Sequence, residues 1–246
     1  MAGPEPFTWG QYSEYLRLAL SNGYRFGPLD GSTSDRGDAN EQVVYLRHDV
    51  DFSLRWVLPM AELEAEHGVR ATYCFLLDSP YYPSESSAFD ETVQAILEMG
   101  HWLGLHFDAT PFSSDDEVAR RVADAAEALG QRFATDVVSV SFHWPGRRPV
   151  SQIVLPGGLV NTYGPRFFSE IGYASDSNQD WRGTDLAEVL TSRRHARLQL
   201  LIHPVWWRDT YSPILDKLTE LAEELGMGLD EVMTVEQRAL IDEAAA

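Results

Sequence analysis

Between residues 8 and 21 the apolar positions fall at Trp9, Tyr12, Tyr15, Leu16, Leu18 and Leu20 and stop at Asn22-Gly23, which predicts a helix with a C-terminal break. The turn formers and charges of Asp30 to Asp38 read as a mobile surface connection. Beyond it, short apolar runs alternate with helical patterns. Strands are expected at 43–46, 72–77, 101–106, 137–142, 173–174 and 198–203, and helices at about 54–67, 88–99, 115–130, 165–171 and 213–225. Repeated strand and helix units imply a parallel sheet, open or closed into a barrel.

A chain of 246 residues suits one α/β barrel, and 44% hydrophobic with 23% charged residues supplies a core of matching size. The formal charge of -19 repels phosphate backbones and anionic headgroups, so neither nucleic acid nor a membrane surface is expected as a partner. The single cysteine, Cys74, sits in an apolar run and reads as a buried, inert thiol, with no intramolecular disulfide possible. The N-terminus lacks the basic start and apolar core of a signal peptide, and no stretch is long enough to span a bilayer, so a cytoplasmic location is expected. Assembly into a homo-oligomer stays open.

Titratable residues gather where the strands end: His48, Asp49 and Asp51 after the first, His106 and Asp108 after the third, His143 after the fourth and His203 after the last. In α/β barrels that rim carries the site. Asp49 and Asp51, two residues apart on an extended backbone, point to the same side, where two like charges call for a cation; a hard divalent ion takes one and leaves the other free to act as a base. A turn with capping aspartates is the competing reading of that segment. His106 supplies an imidazole suited to zinc or a similar ion, whereas His101, at the start of its strand, reads as structural. His203 closes an apolar strand and runs into Trp206 and Trp207, which suggests a tuned acid with apolar walls; a core histidine followed by packing tryptophans is equally compatible.

In this order the segments resemble the catalytic domain of carbohydrate esterase family 4, the NodB-like polysaccharide deacetylases, over roughly residues 43–207. The resemblance implies an α/β fold, a distorted (β/α) barrel of about seven parallel strands in a single domain. An N-terminal helix and loop (1–42) would precede this catalytic core and C-terminal helices (208–246) follow it. It also implies Asp49 as catalytic base, Asp51 and His106 as metal ligands and His203 as catalytic acid. The family's Arg-x-Pro segment falls on His143-Trp144-Pro145, and its Asp-Ser-x-Asp-Trp wall on Ser175 to Trp181. Trp144, Asp176, Trp181 and Trp206 are the substrate-contacting residues so implied.

Two positions depart from the pattern. Thr110 stands where the second metal histidine belongs, and His143 replaces the base-orienting arginine. His143 or Asp108 could fill the metal set. His143 is the choice, because it ends the neighbouring strand and its imidazole matches His106. The expected function is a metal-dependent hydrolase, with zinc the favoured ion. It would remove an N-acetyl or N-formyl group from an amino sugar or related small amide, the partner being a small molecule or glycan, with nucleotide- or lipid-linked forms among the candidates. The alternatives are a non-catalytic carbohydrate-binding barrel that has lost full ligation, and a hydrolase of a non-sugar amide.

Overall fold

The computed structural model describes residues 5–30, 41–234 and 237–238. The charged stretch expected to be a mobile connection lies, beyond Asp30, outside them. The elements follow the chain as α1 (Trp9–Ser21), β1 (Tyr24–Phe26), β2 (Gln42–Val50), α2 (Val57–Glu66), β3 (Thr72–Leu76), α3 (Ser87–Glu98), β4 (Trp102–Asp108), α4 (Asp115–Phe133) and β5 (Val137–His143). They continue with β6 (Val160–Asn161), α5 (Pro165–Phe168), β7 (Gly172–Ser175), α6 (Leu186–Thr191), β8 (Arg197–Ile202), α7 (Ile214–Leu225) and α8 (Leu229–Val232). Helix starts are set by side chains that accept orphan amides: Thr8 from Gln11, Ser86 from Phe89, Ser114 from Glu117 and Asp185 from Glu188.

Seven parallel strands run in the order β6-β5-β4-β3-β2-β8-β7 and curl into a half-barrel, with the short β1 added beside β2. The distorted barrel of about seven strands is therefore the architecture. Period-two alternation divides each strand between two environments. On β2, Val44, Leu46 and Val50 enter the large core between sheet and helices, while Val43 and Tyr45 join Leu29, Val160 and Phe167 in a smaller interior plug. Arg47 and Asp49 continue that interior column upward. The same alternation sends Ser139, Ser141 and His143 of β5 inward while Val140 and Phe142 join the outer core. Interior packing is tight where β3 and β4 meet: a Cβ on Gly104 would lie 2.5 Å from the Cys74 sulfur, so only glycine fits. Cys74 is buried and unbridged, and burial first, then the nearby Asp49 charge, push its thiol pKa up.

His48, grouped with the rim residues by its sequence position, points outward instead. Its Nε2 lies 2.6 Å from Glu64 Oε1 on α2, and Tyr73 donates to Glu64 Oε2 at 2.8 Å. Tyr12 of α1 donates to the same carboxylate. Burial would push the Glu64 carboxyl up, but His48 and the other partners hold it below its ordinary range. His101 is structural: its Nδ1 accepts the Ala71 amide at 3.1 Å and its Nε2 meets the Ala61 carbonyl at 3.1 Å. Among the described residues no helix is long and apolar enough to cross a membrane.

Candidate metal centre and cavity

At the C-terminal ends of the strands lies a cavity of about 490 Å³ whose floor carries Asp49, Asp51, His106, His143 and His203. Asp51 Oδ1, His106 Nε2 and His143 Nδ1 form a triangle with sides of 2.8, 3.1 and 3.3 Å. His106 Nδ1 faces the Ser141 carbonyl at 3.2 Å, so a proton on Nδ1 is used there and the Nε2 lone pair turns to the triangle. Burial would lift the Asp51 carboxyl, yet the two imidazoles hold it well below the usual carboxylate range. Although His106 Nε2 is close to it, Asp51 Oδ1 is buried and has no aligned hydrogen-bond donor among the described residues. Three ligand atoms converging with an unsatisfied carboxylate oxygen suit a cation. Asp51, His106 and His143 are therefore the residues that could hold a divalent ion.

The residues around this triangle are just as specifically held. Asp49 Oδ2 accepts from Ser141 Oγ at 2.8 Å and from Arg47 Nη2 at 3.2 Å, while Arg47 Nε lies 3.2 Å from Oδ1. Arg47 is completely buried and also donates to Thr162 at 2.7 Å, Gln199 at 2.9 Å and Tyr163 at 3.0 Å. Sequence reading gave Arg47 no role. His203 Nδ1 meets Asp176 Oδ1 at 2.7 Å and its Nε2 lies 3.7 Å from Asp51 Oδ2. Burial works against the His203 imidazolium, but the hydrogen bond and charge of Asp176, with smaller contributions from Asp51 and Asp49, raise its pKa to about 9.

Asp176 is placed differently from the expected substrate wall. It is fully buried beneath His203, and its carboxylate also accepts the His203 amide at 2.9 Å and Trp207 Nε1 at 2.8 Å, which leaves no face toward the cavity. Trp144, Trp181 and Trp206 do line the cavity. Trp144 adopts φ 48°, a left-handed conformation costly for a bulky residue, and packs against the His143 ring at a centroid distance of 4.3 Å. Trp207 faces away, packing on Phe7, Tyr12 and Tyr15 and so tying α1 to the underside of the site. Thr110 donates to Asp108 at 2.7 Å, and neither residue lines the cavity or joins the triangle. Thr234 and Gln237 also reach the cavity wall from the C-terminal segment, a contribution the sequence pattern did not indicate.

No family profile and no curated protein matches the chain. Among solved structures, matches at probability 1.00 include carbohydrate esterase family 4 (CE4) proteins. The chitin deacetylase of the fungal pathogen Colletotrichum lindemuthianum is 16% identical with a TM-score of 0.47, the match covering 82% of this chain and 87% of that one. The peptidoglycan deacetylase PdaC of Bacillus subtilis is 17% identical with a TM-score of 0.45, over 85% and 95% of the two chains. Wild-type BA3943, a CE4 family pseudoenzyme from Bacillus anthracis, is 16% identical with a TM-score of 0.42, over 76% of this chain and 63% of that one. The matched region thus spans less than two thirds of the BA3943 chain.

Proposed function

We propose that the chain is a divergent family 4 deacetylase, a zinc-dependent hydrolase that removes an N-acetyl or N-formyl group from an amino sugar or related small amide. The observation that carries this reading is the convergence of Asp51, His106 and His143 beside a separately held carboxylate, Asp49. A divalent ion at the triangle would supply positive charge that polarises an acyl carbonyl and acidifies water. Asp49, fixed by Arg47 and Ser141, takes a proton from the attacking water. His203, its Nδ1 engaged by Asp176, presents Nε2 to the cavity and gives its proton to the departing amine. The leaving group of an unactivated amide needs that proton, so an acid and a base stand together at the floor. Trp206 and Leu201 add apolar wall beside them, suited to a small acyl group.

Elemental analysis after zinc loading, combined with assays of acetate or formate release from N-acyl hexosamines, tests the reading. The parent protein should hold one ion per chain. Asp51→Ala and His143→Ala should lose retention and turnover together, whereas Asp49→Ala should keep the ion and lose turnover. A parent protein that retains no ion, or equal metal loss in all three variants, would overturn the assignment.

A further inference from the structure

The cavity wall is less acidic than the chain as a whole, with two arginines against two aspartates. Asp49 and Asp51, both on the floor, are the only carboxylates in its described lining, while Arg147 and Arg182 line it higher up. Both arginines are exposed, and neither makes an ion pair among the described residues. Some arginines elsewhere hold carboxylates, Arg55 with Glu220, Arg132 with Asp90 and Arg148 with Asp115, while Arg120, Arg121, Arg193 and Arg194 form no ion pair among the described residues. With 38 acidic residues against 19 basic ones, what sets Arg147 and Arg182 apart is that both line one cavity.

Both arginines are also pre-positioned. The Arg147 guanidinium lies 4.1 Å from the centroid of the Trp144 ring, which is itself packed on His143. Arg182 follows Trp181 in a loop where Asn178, Gln179 and Arg182 all have positive φ, between 51° and 60°. That loop also brings Asn178 to the cavity wall. Asp180 accepts the Arg182 amide and leaves its guanidinium free. Non-glycine residues in left-handed conformations tend to be retained where a loop must present particular groups. Guanidinium forks match the paired oxygens of phosphates and carboxylates, and two of them beside a cavity on an acidic protein favour an anion there over the surrounding surface.

We propose that the substrate is an N-acyl sugar bearing an anionic group, a phosphate ester or a ring carboxylate, held by Arg147 and Arg182 while the acyl group reaches the floor. This rests on the hydrolase reading for the acyl end only. Titration calorimetry on the full chain, zinc-supplied and carrying Asp49→Ala so that ligands are not consumed, compares N-acetylglucosamine, its 1-phosphate and the corresponding uronic acid. At least one anionic ligand should bind about tenfold more tightly than the neutral sugar, less so at high salt, and whichever does so identifies the source of the charge. Arg147→Gln and Arg182→Gln, both at exposed positions, should each remove most of that preference. Equal binding of all three ligands, or a preference that survives the double substitution, overturns the inference. Anion-dependent binding with no acetate release by the parent protein would leave the inference standing and defeat the hydrolase reading; acetate release with no anion preference would do the reverse.

Discussion

Replacing Arg47 by Met tests how Asp49, the proposed base, is held. The guanidinium is completely buried and donates to Thr162, Gln199, Tyr163 and Asp49. Burial alone would lower its pKa, but the Asp49 charge together with Tyr163 and Tyr173 outweighs that and raises it, so the guanidinium stays charged at any working pH. Methionine fills much of the stem volume yet leaves the Asp49 carboxylate without its counter-charge. Removing one partner of a buried ion pair costs about 3–5 kcal/mol. At roughly 2–4 °C per kcal/mol for a chain of this size, the melting temperature should fall by about 6–20 °C. Scanning calorimetry with a denaturant series measures the change; a loss below about 1 kcal/mol would mean that the pair is not a major support. Arg47→Lys separates support from positioning. Lysine keeps a charge in the interior but cannot reproduce the fork that reaches Asp49, Tyr163 and Thr162 together. The fold and bound ion should survive while kcat falls about 100-fold, the scale expected of a displaced catalytic group. Parental kcat in Arg47→Lys would refute the positioning argument.

Two further outcomes follow from charge. Asp176→Asn removes the strongest influence raising His203, so the alkaline limb of the kcat profile should move down from about pH 9 toward the ordinary imidazole value of ~6.5. An unmoved limb would show that His203 does not supply the proton. Because the folded His203 pKa is raised, its contribution to stability is complete below ~6.5 and is lost as pH rises through about 9, a loss that should shrink in the variant. Lys217 has the opposite sign: it is buried and donates to the Trp206 carbonyl, and burial and then Arg208 push its pKa down to about 7. The unfolded chain binds the extra proton between about 7 and ~10.4, so the parent should gain stability over that range relative to Lys217→Met, measured as denaturant midpoints. Parallel pH dependences in the two proteins would exclude this.

What the sequence made legible was whatever depends on local periodicity. Asp49 and Asp51 share a side because β2 alternates, and His203 closes an apolar run whose end falls at the rim. His48 shows the limit of that reasoning, since proximity to Asp49 in sequence suggested the site while the same alternation turns it to the outer core. The strands Tyr24–Phe26 and Val160–Asn161 and the helix Leu186–Thr191 are too short to establish a period of their own. Roles set by partners distant in sequence were invisible. Arg47 meets Thr162 and Gln199, 115 and 152 residues away, and Asp176 meets His203 and Trp207. A residue type with no periodic signature is assigned by such contacts alone, which is why Asp176 was placed on the wall rather than under the histidine.

The two departures from the family pattern form one rearrangement. A single strand position presents a single side chain, so once residue 143 is a histidine with Nδ1 at 3.3 Å from Asp51, that position cannot also send a guanidinium to Asp49. The column on β2 offers another route. Arg47 lies two residues below Asp49 on the same interior face, a separation of about 7 Å along an extended strand. Its guanidinium spans that separation and meets the carboxylate from below rather than from the β5 side. The route needs an interior polar enough to receive the guanidinium beneath the base. Thr162, Tyr163 and Gln199 supply those acceptors, from the β6 end and from β8, and in a plain aliphatic barrel the same arginine would lack partners for its remaining donors. The polar layer under Asp49 is therefore what lets His143 turn toward Asp51 while Asp49 keeps a guanidinium partner.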